Sequence, residues 1–330
     1  MKTGKKNTLS EFCRALKHHK RFLLACHVAP EGDAIGSLLA ADSLLRRLGK
    51  KTFMVNEDAF PERLPCLSSR GWHLRDEVLK PGNFDAALLT DCPTLERIGR
   101  VRELLGPDTI IFNVDHHISN NLFGHHNYVK PKAAATGEVV YDLFKQFKLP
   151  VTREEAKNLY VAIATDTGSF KYGTTTAESH KIAAALMAQK IDIEKINDQI
   201  YSSYSLNKMQ LYSRLLGRVQ TTALGRIAWV GMHMEDLKQS GATHEDTEGF
   251  IDFLRYLREV SVVFFMSEMR PGEVKVSFRA KGAFDVNRIA TEFGGGGHRK
   301  ASGCSVRATL AEAQELVFTA IRRHYPSLWS

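Results

Sequence analysis

Residues 22–37 read Phe-Leu-Leu-Ala-Cys-His-Val-Ala-Pro-Glu-Gly-Asp-Ala-Ile-Gly-Ser, and this stretch decides the fold. Its first five residues are apolar and typical of a buried strand. A polar loop with one histidine and two acids follows, and the pattern then predicts a helix over residues 35–48 that ends at Gly49. A buried strand that leads through a polar loop into a helix indicates an α/β fold.

The same alternation continues along the first half of the chain. Further apolar runs predict strands at residues 52–55, 85–89 and 109–114. Helices are predicted at residues 136–147, 152–165 and 177–189. The second of these helices begins with a capping box formed by Thr152 and Glu155. The sequence therefore predicts an N-terminal domain over residues 1–190, in which helices flank a mostly parallel sheet on both faces.

The pattern changes in the second half of the chain. A polar helical stretch at residues 191–216 is interpreted as a linker. Beyond it, partly antiparallel strands are predicted at residues 226–232, 260–269 and 274–279. Helices are predicted near residues 247–257, 286–292 and 310–324. This arrangement indicates a smaller α+β domain over residues 217–330.

Composition narrows the class of protein. A hydrophobic share of 43% and a charged share of 25% are typical of soluble globular proteins. No stretch approaches the roughly 18 apolar residues of a membrane span, and the basic, polar N-terminus lacks the apolar core of a secretory signal, so we expect a cytoplasmic protein without a membrane segment. The 5 cysteines are far apart and predict reduced thiols rather than a disulfide framework. The net charge of +8 favours polyanionic partners.

Acids and histidines follow several of the predicted strands. His27 follows the first strand, Asp91 the third, and Asp115 the fourth, where His116 and His117 come next. The carboxyl ends of parallel strands meet at one edge of a sheet, so we expect these side chains to converge there. Glu31 and Asp33 in the first loop and Asp166 farther along add carboxylates.

A single Asp after a strand is more often a helix cap or a turn residue. Several carboxylates packed together without partners, however, cost several kcal/mol unless cations neutralise them. Imidazole and carboxylate ligands without thiolate suit Mn²⁺, although Fe, Co and Zn remain possible. Six such groups exceed the needs of one ion, and two ions about 3.5–4 Å apart with a shared carboxylate fit better.

Residues 293–303 read Phe-Gly-Gly-Gly-Gly-His-Arg-Lys-Ala-Ser-Gly. Consecutive glycines allow the backbone to approach a ligand and to point N–H groups at a phosphate. The alternative is a flexible loop between a helix and a strand. Composition alone does not decide between a phosphate-binding segment and such a loop.

These motifs together resemble the DHH phosphoesterase superfamily. The resemblance rests on Asp115-His116-His117, on the preceding Asp91 and on the following Asp166-Thr-Gly-Ser-Phe. The run Gly-Gly-Gly-Gly-His, the later Ala-Ser-Gly and the stretch Ser277-Phe278-Arg279 are similar to the DHH-associated domain. The bacterial nanoRNases, which are bifunctional oligoribonucleases and PAP phosphatases, have this domain order, and the resemblance covers nearly the whole chain.

The resemblance implies a role for each residue. One Mn²⁺ would be held by His27, Glu31 and Asp91, joined by Asp166, and the other by Asp33, Asp91 and His116. Asp91 would bridge the ions, Asp115 would orient a ligand, and His117 would face the scissile phosphate. The implied ligands of a terminal phosphate or nucleotide are Ser277, Arg279, Gly295, Gly296, Gly297, His298 and Ser302. The chain departs from the family at Glu31, where Asp is usual, and this puts metal affinity at the first site in question.

The implied activity is metal-assisted hydrolysis of short oligoribonucleotides to mononucleotides, and of the 3′-phosphate of adenosine 3′,5′-bisphosphate. One domain would cut while the other grips an end of the substrate. The resemblance is compatible with a homodimer. Three alternatives stay open: a pyrophosphatase or polyphosphatase of the same superfamily, a nucleotide-binding regulator with impaired catalysis, and a processive single-strand exonuclease.

Overall fold

The computed structural model describes residues 4–78, 84–202, 204–222 and 224–329. The chain forms two compact units that are divided in sequence between residues 203 and 204. The predicted fold class is confirmed, with a parallel α/β sheet first and a smaller mixed-sheet unit after it.

The first unit is built on a parallel sheet. Its strands are β1 (Arg21–Ala25), β2 (Lys51–Asn56), β3 (Trp72–Leu74), β4 (Ala86–Thr90), β5 (Ile110–Asp115) and β6 (His126–Val129). Within the described residues these strands lie in the order β3-β2-β1-β4-β5-β6, and every neighbouring pair is parallel. The chain order reverses between β1 and β4, which is where ligands bind in sheets of this type.

Helices cover one face of this sheet. They are α1 (Leu9–Lys17), α2 (Gly32–Arg47), α3 (Thr136–Gln146), α4 (Arg153–Asp166), α5 (Ala177–Met187) and α6 (Ile193–Tyr201). Apolar side chains of the strands, such as Phe22 and Phe112, pack against them in the main core. Leu23 and Leu89 point to the opposite face, where the 3₁₀ segment Leu95–Leu104 covers them.

Helices α2 and α4 lie unusually close together because α2 carries a glycine at the contact. A Cβ added at Gly36 would lie 2.3 Å from the carbonyl oxygen of Asn158, closer than any real contact. Asp33 lies in the first turn of α2, and Asp166 is the last residue of α4. The close packing of the two helices therefore sets the positions of two predicted ligands.

The structure corrects some predicted bounds in this unit. Helix α2 begins at Gly32, three residues before the predicted start, with Glu31 as its N-cap residue. Gly32 and Asp33 have the composition of a loop, but an acid in the first helical turn is stabilised by the helix dipole. The edge strands β3 and β6 were not predicted, because they are short and only half-buried.

The second unit contains a mixed sheet. Its strands are β7 (Gln220–Thr221), β8 (Ile227–Met232), β9 (Val262–Arg270), β10 (Glu273–Ala280), β11 (Gly296–His298) and β12 (Ala301–Val306). They lie in the order β11-β12-β10-β9-β8-β7 within the described part of the chain. Strands β8 and β9 are parallel, and the other pairs are antiparallel.

Both faces of this sheet carry helices. They are α7 (Leu206–Leu216), α8 (Met234–Ser240), α9 (Phe250–Leu254), α10 (Val286–Glu292) and α11 (Leu310–His324). Helices α10 and α11 pack on the face that holds Phe264 and Phe278. Helices α7, α8 and α9 pack on the other face, around Val263 and Phe265.

Three predicted segments of the second half differ in the structure. The helical stretch at 191–216 consists of two helices, of which α6 packs in the first unit and α7 in the second. The helix at 247–257 was wrong in extent, because Gly249 with a φ of 82° separates the turn Glu245–Thr247 from α9. The glycine-rich loop contains strand β11, which forms a hairpin with β12.

None of the helices in the described ranges is long and apolar enough to cross a membrane.

The close packing of α2 on α4 predicts a cost for a small change. Gly36→Ala should lower the free energy of unfolding by about 1–3 kcal/mol, because the added methyl group forces the helices apart. Urea unfolding measures the difference. Gly173→Ala is the matched control, since a Cβ there meets nothing within 4 Å and should change stability by less than about 1 kcal/mol. Equal unfolding midpoints for Gly36→Ala and the wild type would contradict the argument.

Candidate metal centre and substrate face

Six predicted ligands and two predicted catalytic residues converge at the carboxyl edge of the first sheet. His27 follows β1, Asp91 follows β4, and Asp115 ends β5. Strands β1 and β4 are neighbours although they are far apart in sequence, so His27 and Asp91 meet at the point where the strand order reverses.

Asp91 lies at the centre of the cluster. One carboxylate oxygen, Oδ2, is 3.4 Å from Nε2 of His27, and the other, Oδ1, is 3.7 Å from Nε2 of His116. The hydroxyl of Thr136 donates a hydrogen bond of 2.7 Å to Oδ1. The residue has a φ of 59°, a left-handed conformation that Asp tolerates better than most side chains. Its two oxygens therefore face two different histidines, as a bridging carboxylate requires.

His27, Glu31 and Asp91 form the first group of candidate ligands. Nδ1 of His27 lies 2.8 Å from the carbonyl oxygen of Val28, which favours a proton on Nδ1 and leaves Nε2 for a ligand. Oε1 of Glu31 is 3.1 Å from that Nε2 atom. The longer side chain at position 31 thus reaches the cluster, although it is half-exposed.

Asp33, His116 and Asp166 form the second group. The carboxylate of Asp33 accepts hydrogen bonds of 2.7 and 2.9 Å from the backbone N–H groups of Thr136 and Gly137, in the first turn of α3. Nδ1 of His116 contacts the carbonyl oxygen of Ala133 at 3.2 Å, so its Nε2 faces the acids. Oδ2 of Asp166 lies 3.4 Å from this Nε2.

The position of Asp166 differs from the sequence assignment, which placed it with the first ion. Its carboxylate lies beside His116, in the second group of candidate ligands. The division of the six ligands between two ions stays a prediction.

Asp115 is not in a group of candidate ligands itself, but it contacts His117, which forms a further candidate group with Asp91 and His116. Its Oδ1 atom lies 2.7 Å from Nδ1 of His117, and its Oδ2 atom accepts a hydrogen bond of 2.6 Å from Asn120. The backbone N–H of His116 also donates to Oδ1. Asp115 thus holds the His117 ring in its orientation, and its predicted role of orienting a metal ligand stays a prediction.

The pKa values in the cluster reflect the electrostatic cost of burying several carboxylates close together. Burial, together with the negative charges of Asp91 and the other acids, raises the pKa of Asp33 well above its usual value and that of Asp166 to about 7. Burial opposes the charging of His27 and His116, but hydrogen bonds and nearby carboxylates outweigh it and raise their pKa values to about 11 and about 9. Burial likewise opposes ionisation of Asp91, yet the neighbouring histidines lower its pKa.

This pattern fits a site for divalent cations. Without a cation, the raised pKa values of His27, His116, Asp33 and Asp166 favour protonation, which offsets the shared negative charge. Two divalent ions would take over that compensation and release the protons. The residues that would hold them offer imidazole nitrogen and carboxylate oxygen without thiolate, which are ligands that suit Mn²⁺ and related metals.

The second unit brings part of the predicted substrate set to one face of its sheet. Neighbours across β10, β12 and β11 form two rows, Ser277–Gly303–Gly296 and Arg279–Ala301–His298. Directly opposite residues of antiparallel strands share a face, and so do residues two apart on a strand. The other members of the two rows, Gly296, Ala301 and Gly303, have little or no side chain. The surface beside Ser277, Arg279 and His298 is therefore uncovered by large side chains of these strands. We call this surface the polar face.

The remaining predicted substrate ligands make close contacts in and around the β11–β12 hairpin. They are Gly295, Gly297 and Ser302. A Cβ at Gly295 would lie 2.2 Å from the carbonyl oxygen of Gly303, and one at Gly297 would lie 2.6 Å from that of Ala301. The hydroxyl of Ser302 donates a hydrogen bond of 2.6 Å to the carbonyl of His298. The structure gives these three residues a role in packing β11 against β12, and their role toward a substrate stays a prediction.

Comparison with known proteins agrees with this arrangement. The profile of the DHH family, N-terminal domain, matches residues 21–163, and that of the DHHA1 domain matches residues 227–323. A Thermus thermophilus protein named bifunctional oligoribonuclease and PAP phosphatase NrnA is 33% identical over 302 residues, which cover 91% of this chain and 88% of the relative. The chain belongs to the DHH phosphoesterase family.

Other members support the same domain order. A Bacillus subtilis protein of the same name is 28% identical over 90% of this chain and 93% of its own length. The crystal structure of an exopolyphosphatase-related protein from Bacteroides fragilis is 26% identical, with a TM-score of 0.91 over 98% of this chain and 97% of that one. This DHH phosphoesterase is a hydrolase, and a DHHA1 domain follows its DHH domain.

The sequence interpretation missed the polar groups that support the ligands. Thr136 and Gly137 bind two of the carboxylates, and Asn120 binds Asp115. A signal for the first pair existed, because a helix start was predicted at Thr136 and helix N-termini attract anions. Asn120 follows His117 by three residues but has no pattern that marks its role.

The bridging position of Asp91 predicts how this DHH phosphoesterase responds to metal. Mn²⁺ at about a hundred times its Kd should stabilise chelator-treated protein by about 2.7 kcal/mol for each ion bound, which thermal unfolding detects as a higher Tm. Asp91→Asn should lose most of that gain, because this carboxylate belongs to the first ligand group and also faces His116 of the second. Asp108→Asn, an exposed acid outside the cluster, should respond like the wild type. A full Mn²⁺ response in Asp91→Asn would refute the shared ligand.

Proposed function

We propose that this DHH phosphoesterase uses two Mn²⁺ ions to hydrolyse short oligoribonucleotides to mononucleotides, and that it also removes the 3′-phosphate of adenosine 3′,5′-bisphosphate. The observation that carries the proposal is the carboxylate of Asp91, whose two oxygens face His27 and His116. The names of the Thermus and Bacillus relatives support the substrate class. We place this reaction in the cytoplasm as part of the same proposal.

The bound ions would neutralise the phosphate and activate a water for attack at phosphorus. His117 lies beside Asp91 of the ligand cluster with Nδ1 held by Asp115, so its Nε2 side is the one offered to a substrate. Burial opposes its charging, but the hydrogen bond to Asp115 outweighs that effect and raises the pKa of His117. A charged imidazole can stabilise the phosphate oxygens and donate a proton to the leaving oxygen.

The polar face of the second unit supplies the grip. Arg279 offers a guanidinium fork that suits a terminal phosphate, with Ser277 and His298 in neighbouring positions. Arg279 is held in place by a hydrogen bond of 3.0 Å to the carbonyl of Phe278. A grip on a terminal phosphate rather than on a long strand favours substrates of a few nucleotides.

Arg299 and Lys300 are not part of this grip. Arg299 donates to the carbonyl of Ala283, and Lys300 donates to the carbonyls of Gly282 and Phe284. These bonds tie the turn of the β11–β12 hairpin to the loop before α10. The charged groups of Arg299 and Lys300 therefore hold this loop in place.

A second candidate function has one observation in its favour. The solved structure that superposes over nearly the whole chain belongs to a protein described as exopolyphosphatase-related. Polyphosphate and pyrophosphate have no nucleobase, and they would bind at the same ligand cluster. The glycine-rich hairpin and the polar face favour nucleotides over such substrates.

Incubation of the purified chain with Mn²⁺ and labelled RNAs of two to about twenty nucleotides tests the proposal. We expect mononucleotide release that is fastest for the shortest RNAs, and phosphate release from adenosine 3′,5′-bisphosphate. Pyrophosphate and polyphosphate run in parallel. Preferred release of phosphate from those two substrates would replace the proposed function with the second candidate. Binding of nucleotides without any turnover would indicate a regulator in which Glu31 impairs catalysis.

The grip assigned to Arg279 predicts a specific kinetic change. Arg279→Ala should raise KM for a dinucleotide by about tenfold and lower kcat much less, because the residue lies in the second unit and not among the metal ligands. Steady-state kinetics separates the two parameters. Arg270→Ala is the matched control, since Arg270 pairs at 2.5 Å with Glu273 across the β9–β10 turn and is largely exposed. An unchanged KM in Arg279→Ala would remove this residue from the grip.

A further inference from the structure

The segment that follows α9 carries an aromatic ring into solvent. Residues 255–259 read Arg-Tyr-Leu-Arg-Glu, and the side chain of Tyr256 is 76% exposed. No other aromatic side chain in the described parts of the chain is as exposed. A single exposed tyrosine needs no explanation by itself, so its surroundings decide whether it has a role.

The exposed ring contacts one neighbour, and the backbone around it is hydrogen-bonded. The backbone N–H of Tyr256 donates a hydrogen bond of 3.1 Å to the carbonyl of Phe253, and the two rings contact edge to face with centroids 6.0 Å apart. The ammonium group of Lys281 donates a hydrogen bond of 2.7 Å to the carbonyl of Leu257. These contacts fix the segment from both sides, which lowers the entropy lost when a ligand stacks on the ring.

Arg255 of this segment and Arg279 of strand β10 contact the same carboxylate. Oδ1 of Asp252 is 3.6 Å from Nε of Arg279 and 3.3 Å from Nη1 of Arg255. Two guanidinium groups thus share one carboxylate oxygen, which brings them close together. Arg279 belongs to the polar face, and Tyr256 lies about one turn of chain beyond Asp252.

An exposed aromatic ring that directly follows one of two arginines sharing a carboxylate is a combination that binds a nucleobase together with its phosphate. We propose that Tyr256 stacks on the base of the nucleotide whose phosphate is bound at Arg279, and that Arg255 adds to the positive charge around that phosphate. This inference rests on the proposed function for the role of Arg279. It adds a residue that makes the second unit select nucleotides over phosphates without a base.

The test compares ligands with and without a base. Calorimetry on the full chain in Mn²⁺ measures Kd for adenosine 5′-monophosphate and for ribose 5-phosphate. Tyr256→Leu should raise Kd for the nucleotide by about tenfold, since removal of a stacking ring costs roughly that factor. Kd for ribose 5-phosphate should stay unchanged, because that ligand has no base. Tyr256→Phe keeps the ring and should bind the nucleotide like the wild type.

Leu257→Ala is the matched control, because Leu257 is the next residue, is 40% exposed and has no ring. It should bind both ligands like the wild type. Equal nucleotide affinity in Tyr256→Leu and the wild type would overturn the inference, and so would an equal loss of affinity for both ligands.

Cleavage of a diadenosine RNA by the wild type keeps this test separate from the proposed function. If the wild type cleaves the RNA while Tyr256→Leu keeps full nucleotide affinity, the stacking role alone fails. If the wild type cleaves no RNA but Tyr256→Leu loses affinity for the nucleotide only, the proposed function fails and the stacking role stands.

Discussion

Buried carboxylates repel one another, and the first unit nevertheless holds several of them within a few ångströms. Asp33 and Asp91 are almost fully buried, and Asp166 lies beside the same imidazole as both of them. Their shared negative charge must be balanced by histidines, by backbone N–H groups or by cations. The histidines and the backbone N–H groups around this edge of the sheet contribute to that balance of charge.

The fold supplies the balance through elements that come from distant parts of the chain. The reversal of strand order brings β1 beside β4, so that His27 reaches Asp91. The N-terminus of α3 directs two N–H groups at Asp33, and the glycine contact between α2 and α4 keeps Asp33 close to Asp166. A change in any of these helices therefore alters the spacing of the ligands without touching them.

Much of this site could be predicted from the sequence, because its acids and histidines directly follow apolar runs. Asp91 and Asp115 were placed correctly at strand ends for that reason. The placement of Asp166 beside His116 could not be predicted, since the geometry of two packed helices decides it. The family resemblance marked Gly295, Gly297 and Ser302 as substrate ligands, whereas close contacts in the hairpin give them a structural role. The surroundings of Tyr256 depend on a pairing between α9 and β10 that leaves no local pattern.

Anomalous diffraction from crystals soaked in Mn²⁺ tests the central claim most directly. The account predicts two manganese peaks about 3.5–4 Å apart, with one oxygen of Asp91 bound to each ion or shared between them. A single peak, or two peaks with Asp91 bound to neither, would contradict it.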